Sequence, residues 1–193
     1  MNLAVLELVL LDYALMWALA LGFFYRSERP PLAWWLTGLH FFAVPATLLL
    51  AQGPWLPGLW WPSAPFPLLR EAIAVLLAVA SLVLLALTRG HQRVRLSQWH
   101  LENDAPQGIV TWGPHGVVRH PFYLGYLLGA AAALCLAPGP VTGLLLAYTL
   151  GALALTARRE ERRLLASAFG AEYAVYQANT GAFWPRWRRR VER

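Results

Sequence analysis

The sequence has no lysine, a single cysteine (Cys135), and little charge of either sign. Of 193 residues only 16 are basic and 10 acidic, about half the roughly 25% charged content of an ordinary soluble domain. One cysteine excludes an internal disulfide and a cysteine-based metal cage. With 58% of the residues hydrophobic, there is too little polar side chain to cover a core of this size in water. Disorder is excluded on the same ground, because it requires low hydrophobicity. What is present are long apolar runs, so the chain reads as an all-α polytopic membrane protein.

A hydrocarbon layer of about 30 Å takes about 20 helical residues. Five runs qualify: Leu3–Tyr25, Ala33–Ala51, Ala72–Thr88, Phe122–Ala137 and Val141–Ala157. The last two are joined only by Pro138-Gly139-Pro140, which predicts a tight helical hairpin. The first run has no positive segment before it and no small-residue cleavage site after it, so it reads as a helix rather than a secretory signal. All sixteen basic residues are Arg, and all but Arg70 fall in the first and third connections or after the fifth run. The positive-inside rule then places the N-terminus outside and the C-terminus in the cytoplasm of a multi-pass plasma or inner membrane protein. The basic balance is therefore a topology signal and not a nucleic-acid footprint. Nine of the ten Trp fall at expected helix ends or in connections, where amphipathic rings favour the interface, and Trp17 is the exception. Residues 1–100 hold the first three helices and the start of a long polar cytoplasmic connection. Residues 101–193 hold the rest of that loop, the hairpin and an Arg-rich C-terminal helical segment.

Ionisable groups inside spans need a reason. Asp12 and His40 differ in depth by about 6 Å at a rise of about 1.5 Å per residue, so they pair directly only if the helices tilt. The alternative is an interhelical hydrogen bond for each. Small residues four apart, Gly125, Gly129 and Ala133 on one hairpin helix and Gly143, Ala147 and Gly151 on the other, predict close backbone approach. At the cytoplasmic mouth of the hairpin, His115, Arg119, His120 and Tyr123 lead in and Arg158–Arg163 lead out. The short turn forces these clusters to one membrane face. Pro121 suits a helix first turn, and a helix N-terminus with free N–H groups takes a carboxylate. Glu160 and Glu161 accept from hydroxyls or attract a cation, or else form i,i+3 pairs with Arg163 and Arg158. His91, His100, His115 and His120 show no metal-ligand spacing on a shared helical face, so no metal site is expected.

The stretch Ile109–Gly125, with Gly113-Pro114-His115 and Val118-Arg119-His120-Pro121-Phe122-Tyr123, resembles the signature of the isoprenylcysteine carboxyl methyltransferase and phospholipid methyltransferase superfamily. Glu160-Glu161, Leu164, Phe169-Gly170, Glu172-Tyr173, Tyr176 and Pro185 resemble the C-terminal pattern of that superfamily, again after a helical hairpin. The likeness covers roughly Ile109 to Pro185 and leaves the first three helices without a family signal.

The resemblance implies an integral-membrane methyltransferase using S-adenosyl-L-methionine at the cytoplasmic face, with a lipophilic or lipid-modified acceptor entering from the bilayer. Its cofactor contacts would come from His100, Gln107, Gly108, Ile109, Val110, His115, His120, Pro121, Phe122, Tyr123, Glu160 and Glu161. Arg119, Arg158 and Glu161 would be its catalytic groups. Two positions depart from the pattern. His115 stands where the superfamily usually has Tyr, and Thr156 and Ala157 stand where its carboxylate-binding Arg is expected, leaving Arg158 or Arg159 to serve. Carboxyl O-methylation, phospholipid N-methylation and small-thiol S-methylation all stay open as the reaction. A non-catalytic membrane protein whose Arg-rich tail binds anionic lipid or a partner is the alternative from outside the enzyme class.

Overall fold

The computed structural model describes residues 2–24, 32–53, 61, 64–93 and 106–186. Among these the chain is all-helical: α1 (Leu3–Phe24), α2 (Leu32–Gly38), α3 (His40–Leu50), α4 (Pro67–His91), a 3-10 turn (Gly113–Gly116), α5 (Pro121–Leu136), α6 (Pro140–Leu165) and α7 (Gly170–Asn179). Pro67, Pro121 and Pro140 each occupy the first turn of their helix, where a missing N–H costs nothing. The expected start of a helix at Pro121 and the tight hairpin after it are both present. Thr142 closes that hairpin by donating to the carbonyls of Ala137 (2.7 Å) and Gly139 (3.1 Å).

α4 and α6 are long and apolar enough to cross a membrane. Only 28% of the most apolar window of each is buried, which distinguishes them from the core helices of a soluble protein. Their outward faces carry Leu76, Val79, Val83 and Leu87 on α4 and Leu144, Leu150 and Leu155 on α6, all exposed. Such an apolar surface calls for lipid or a partner over it. Inward, α4 presents Ala74, Ala78, Ser81, Leu85 and Thr88, a helical stripe of alternating three- and four-residue steps. Ala74, Ala78 and Leu85 share one buried cluster with Val9 and Met16 of α1 and Ala132 and Ala133 of α5.

The helix expected over Ala33–Ala51 is present as α2 and α3, which run as one apolar helix through Leu39, itself in the right-handed helical conformation, and His40 Nδ1 donates to the Thr37 carbonyl at 3.0 Å. Asp12 and His40 do not pair, and Asp12 takes the alternative, an interhelical hydrogen bond. Asp12 Oδ1 accepts from Ser81 Oγ at 3.0 Å, and the same hydroxyl reaches the Gly125 carbonyl at 2.9 Å, so one serine joins α1, α4 and α5. The small-residue stripes do not face each other across the hairpin. A Cβ at Gly125 would meet Leu85 at 2.8 Å and one at Gly129 would meet Met16 at 2.5 Å and Asp12 at 2.8 Å, whereas Gly143 and Gly151 have nothing within 4 Å. The α5 stripe therefore serves the approach of α4 and α1.

Candidate functional site

The hairpin brings its two polar ends together at one end of the bundle, and α7 folds back over them. Val118 and Gly181 form a parallel bridge, with Arg119 N–H donating to the Gly181 carbonyl (2.8 Å) and His120 N–H to that of Ala182 (3.1 Å). These bonds fix the backbone just ahead of α5. Gly181 is required here: a Cβ would lie 1.8 Å from the Trp184 carbonyl oxygen.

Glu161 stands at the centre of the cluster. Its Oε1 accepts from Arg119 Nε at 2.8 Å and from His120 Nε2 at 2.9 Å, and its Oε2 accepts from Gln177 Nε2 at 2.9 Å. The other arm of Arg119 donates to the carbonyls of Gln177 and Thr180. One guanidinium thus ties the loop before α5 to α6 and to the C-terminal end of α7, where a cation also suits the helix dipole. Burial opposes the Glu161 charge, but the hydrogen bonds from His120 and Arg119 outweigh it and hold the carboxyl down at about 2.

Glu160 takes a different environment from its neighbour. Its Oε1 accepts from the Tyr123 hydroxyl at 2.5 Å, and its Oε2 lies 3.6 Å from His120 Nδ1. Burial pushes its carboxyl up, against the His120 charge and the Tyr123 bond. Adjacent carboxylates with opposite tendencies are a recurrent arrangement for acid–base work. The His120 ring bridges them and lies parallel to Tyr123, 5.4 Å between centroids.

His115 is buried in the 3-10 turn, and its carbonyl accepts from the Tyr176 hydroxyl of α7 at 2.6 Å. Its Nδ1 has no partner among the described residues. Burial, with the His120 charge, holds the ring down at about 4. A buried orphan nitrogen beside the cluster is where a bound ligand's polar group would be satisfied.

Of the residues the sequence singles out, His115, Arg119, His120, Pro121, Phe122, Tyr123, Glu160 and Glu161 come together. Gln107, Gly108, Ile109 and Val110 lie in the segment without regular secondary structure that leads to the 3-10 turn, with Val110 buried and Gln107 exposed. Arg158 is exposed on α6, and the Glu161 partners come from outside that helix rather than from Arg158. His100 lies outside the described residues, as do Arg26, Arg29 and Arg95. Gln177 and Thr180 were not foreseen; only the Glu172–Tyr176 pattern signalled a helix there, with no sign of which side chains it returns to the loop. Among the described residues there is no group of three or more His, Cys, Asp or Glu placed to hold a metal ion.

No family model matches the chain. A segment of 78 residues is 37% identical to the cobalt-zinc-cadmium resistance protein CzcN of Cupriavidus metallidurans, covering 40% of this chain and 36% of that protein. The likeness spans about a third of the relative and establishes no function for the whole.

Proposed function

We propose that the chain is a five-span integral-membrane methyltransferase using S-adenosyl-L-methionine, its C-terminus cytoplasmic, acting on a lipophilic acceptor at the cytoplasmic face. The observation that carries this reading is the convergence of the α5 N-terminus, the Glu160–Glu161 pair and the His115 turn beneath α7. The Nδ1 of His115, without a partner among the described residues, fits a polar group of such a cofactor.

Bound S-adenosyl-L-methionine supplies an electrophilic methyl carbon on a sulfonium. The chain's work is placement, because an in-line displacement needs the acceptor atom about 3 Å from that carbon in a water-poor site. Arg119 acts here as a positioning residue, its guanidinium committed to Glu161 and two carbonyls. Glu161 keeps the negative charge that favours a cationic ligand nearby. Glu160, with its carboxyl pushed up by burial, is the group suited to accept the proton that an O–H, N–H or S–H acceptor sheds. Thr156 and Ala157 are both buried where a carboxylate-binding Arg would be expected. Acceptors that lose a proton to Glu160 therefore fit this chain better than a carboxylate.

The test is calorimetric binding of S-adenosyl-L-methionine by the purified chain, followed by transfer of a radiolabelled methyl group to extracted membrane lipids and small thiols. Binding in the micromolar range and a labelled lipid-soluble product are expected. No binding at high micromolar concentration overturns the reading.

A further inference from the structure

A cleft with about 50 Å³ of enclosed space and an open mouth lies between α1, α2, α3, α5 and α6. That is room for a few water-sized groups, enough for a polar end group and the first atoms of the chain that carries it. Its walls are aromatic: Trp17, Trp34, Phe41, Phe42 and Tyr126. One lining residue differs from the rest. His40 is fully buried, its Nδ1 lies 3.0 Å from the Thr37 carbonyl, and its Nε2 has no partner among the described residues.

The Thr37 bond decides the chemistry of the free nitrogen. A carbonyl oxygen only accepts, so Nδ1 carries the proton, and in the neutral ring Nε2 is left as a bare acceptor. An acceptor in an apolar wall discriminates sharply, because a ligand that brings a donor satisfies it and one that does not leaves it stranded.

We propose that this cleft seats the hydroxyl- or N–H-bearing end of a lipid-soluble molecule whose remainder lies outside its mouth, and that His40 Nε2 selects it by accepting that hydrogen bond. Tyr123 lines the cleft and also donates to Glu160, so the cleft adjoins the polar cluster. The identification of its occupant as the methyl acceptor rests on the methyltransferase reading; the binding preference does not.

The experiment compares two photoreactive probes on the full-length chain in detergent, a diazirine-bearing long-chain alcohol and its methyl ether, with labelled peptides mapped by mass spectrometry. The alcohol is expected to label the segments around Trp17, Phe41 and Leu153 about tenfold more efficiently than the ether at limiting concentration. His40→Asn keeps an amide donor for the Thr37 carbonyl but lacks the Nε2 acceptor, and it should bring the alcohol down to the ether's level. His40→Gln, which puts an amide near the Nε2 position, should restore part of the preference, and circular dichroism confirms that both variants fold. Equal labelling by alcohol and ether in the unmodified chain overturns the proposal, as does a preference that survives in folded His40→Asn. The labelling needs no cofactor, so an alcohol preference without methyl transfer upholds the cleft and removes the methyltransferase reading. Methyl transfer without the preference does the reverse.

Discussion

Removing the Arg119 side chain should release α7 while leaving the helical bundle intact. Arg119 and Glu161 are 10% and 13% exposed, and breaking a buried ion pair from one side costs about 3–5 kcal/mol. The lower end applies, because Glu161 keeps His120 and Gln177 as partners. About 3 kcal/mol is roughly a 150-fold rise in the opening equilibrium, at about 1.4 kcal/mol per tenfold. Hydrogen exchange reads it directly: in Arg119→Ala the amides of Tyr173, Thr180 and Arg119, bonded to Phe169, Tyr176 and Gly181, should exchange faster by that factor, with α4 unchanged. The Arg119→Ala, Glu161→Ala pair should cost less than the sum of its singles by about 1–3 kcal/mol, since neither charge is then left buried alone. The Glu161 carboxyl lies below its ordinary 4.5, at about 2, so its contribution is complete above about pH 4.5 and is lost as pH falls toward 2. Exchange rates within about threefold of the unmodified chain, or strictly additive singles, would refute the clasp.

Three further outcomes follow from the same geometry. His115 is held at about 4 against an ordinary 6.5; the unfolded chain therefore binds the extra proton between those values, and stability should fall as pH drops from 6.5 to 4. Denaturation midpoints of His115→Tyr should show a flatter profile over that window, and parallel profiles would exclude His115 as the source. Gly129→Ala should destabilise by about 1–3 kcal/mol, because its Cβ meets Met16 and Asp12 in a packed interior, while Gly151→Ala should be neutral; unfolding in mixed micelles compares the two. Glu160→Gln should lower methyl-transfer turnover at least tenfold with cofactor affinity within about threefold, and unchanged turnover would remove Glu160 as the proton acceptor.

Much of the site's location was legible in the sequence because covalent connectivity enforces it. Pro138-Gly139-Pro140 allows only a tight reversal, so the residues around His120 and around Glu160 had to arrive at the same end. The partner of each group was not legible. Glu161 could have paired with Arg158 along its own helix, and an exposed pair of that kind is worth little. The choice went to Arg119 and His120 because α7 folds over the cluster and buries it. Asp12 and His40 are comparable: residue type and depth marked both as exceptional, but whether they met each other or different partners depended on helix tilt and on which helix faces meet.

By itself the sequence determined the helical class, the apolar surface, the Pro-started helices and the grouping of polar residues at one end, since all of these follow from composition and local periodicity. Only the tertiary structure decided that the α5 glycines serve α4 and α1, that Ser81 joins three helices, that Arg119 is spent on a clasp, and that His40, with one nitrogen unpartnered among the described residues, lines an aromatic cleft. Each of these depends on which faces of different helices meet, and in a chain where nearly every face is apolar, hydrophobic pattern alone does not specify that choice.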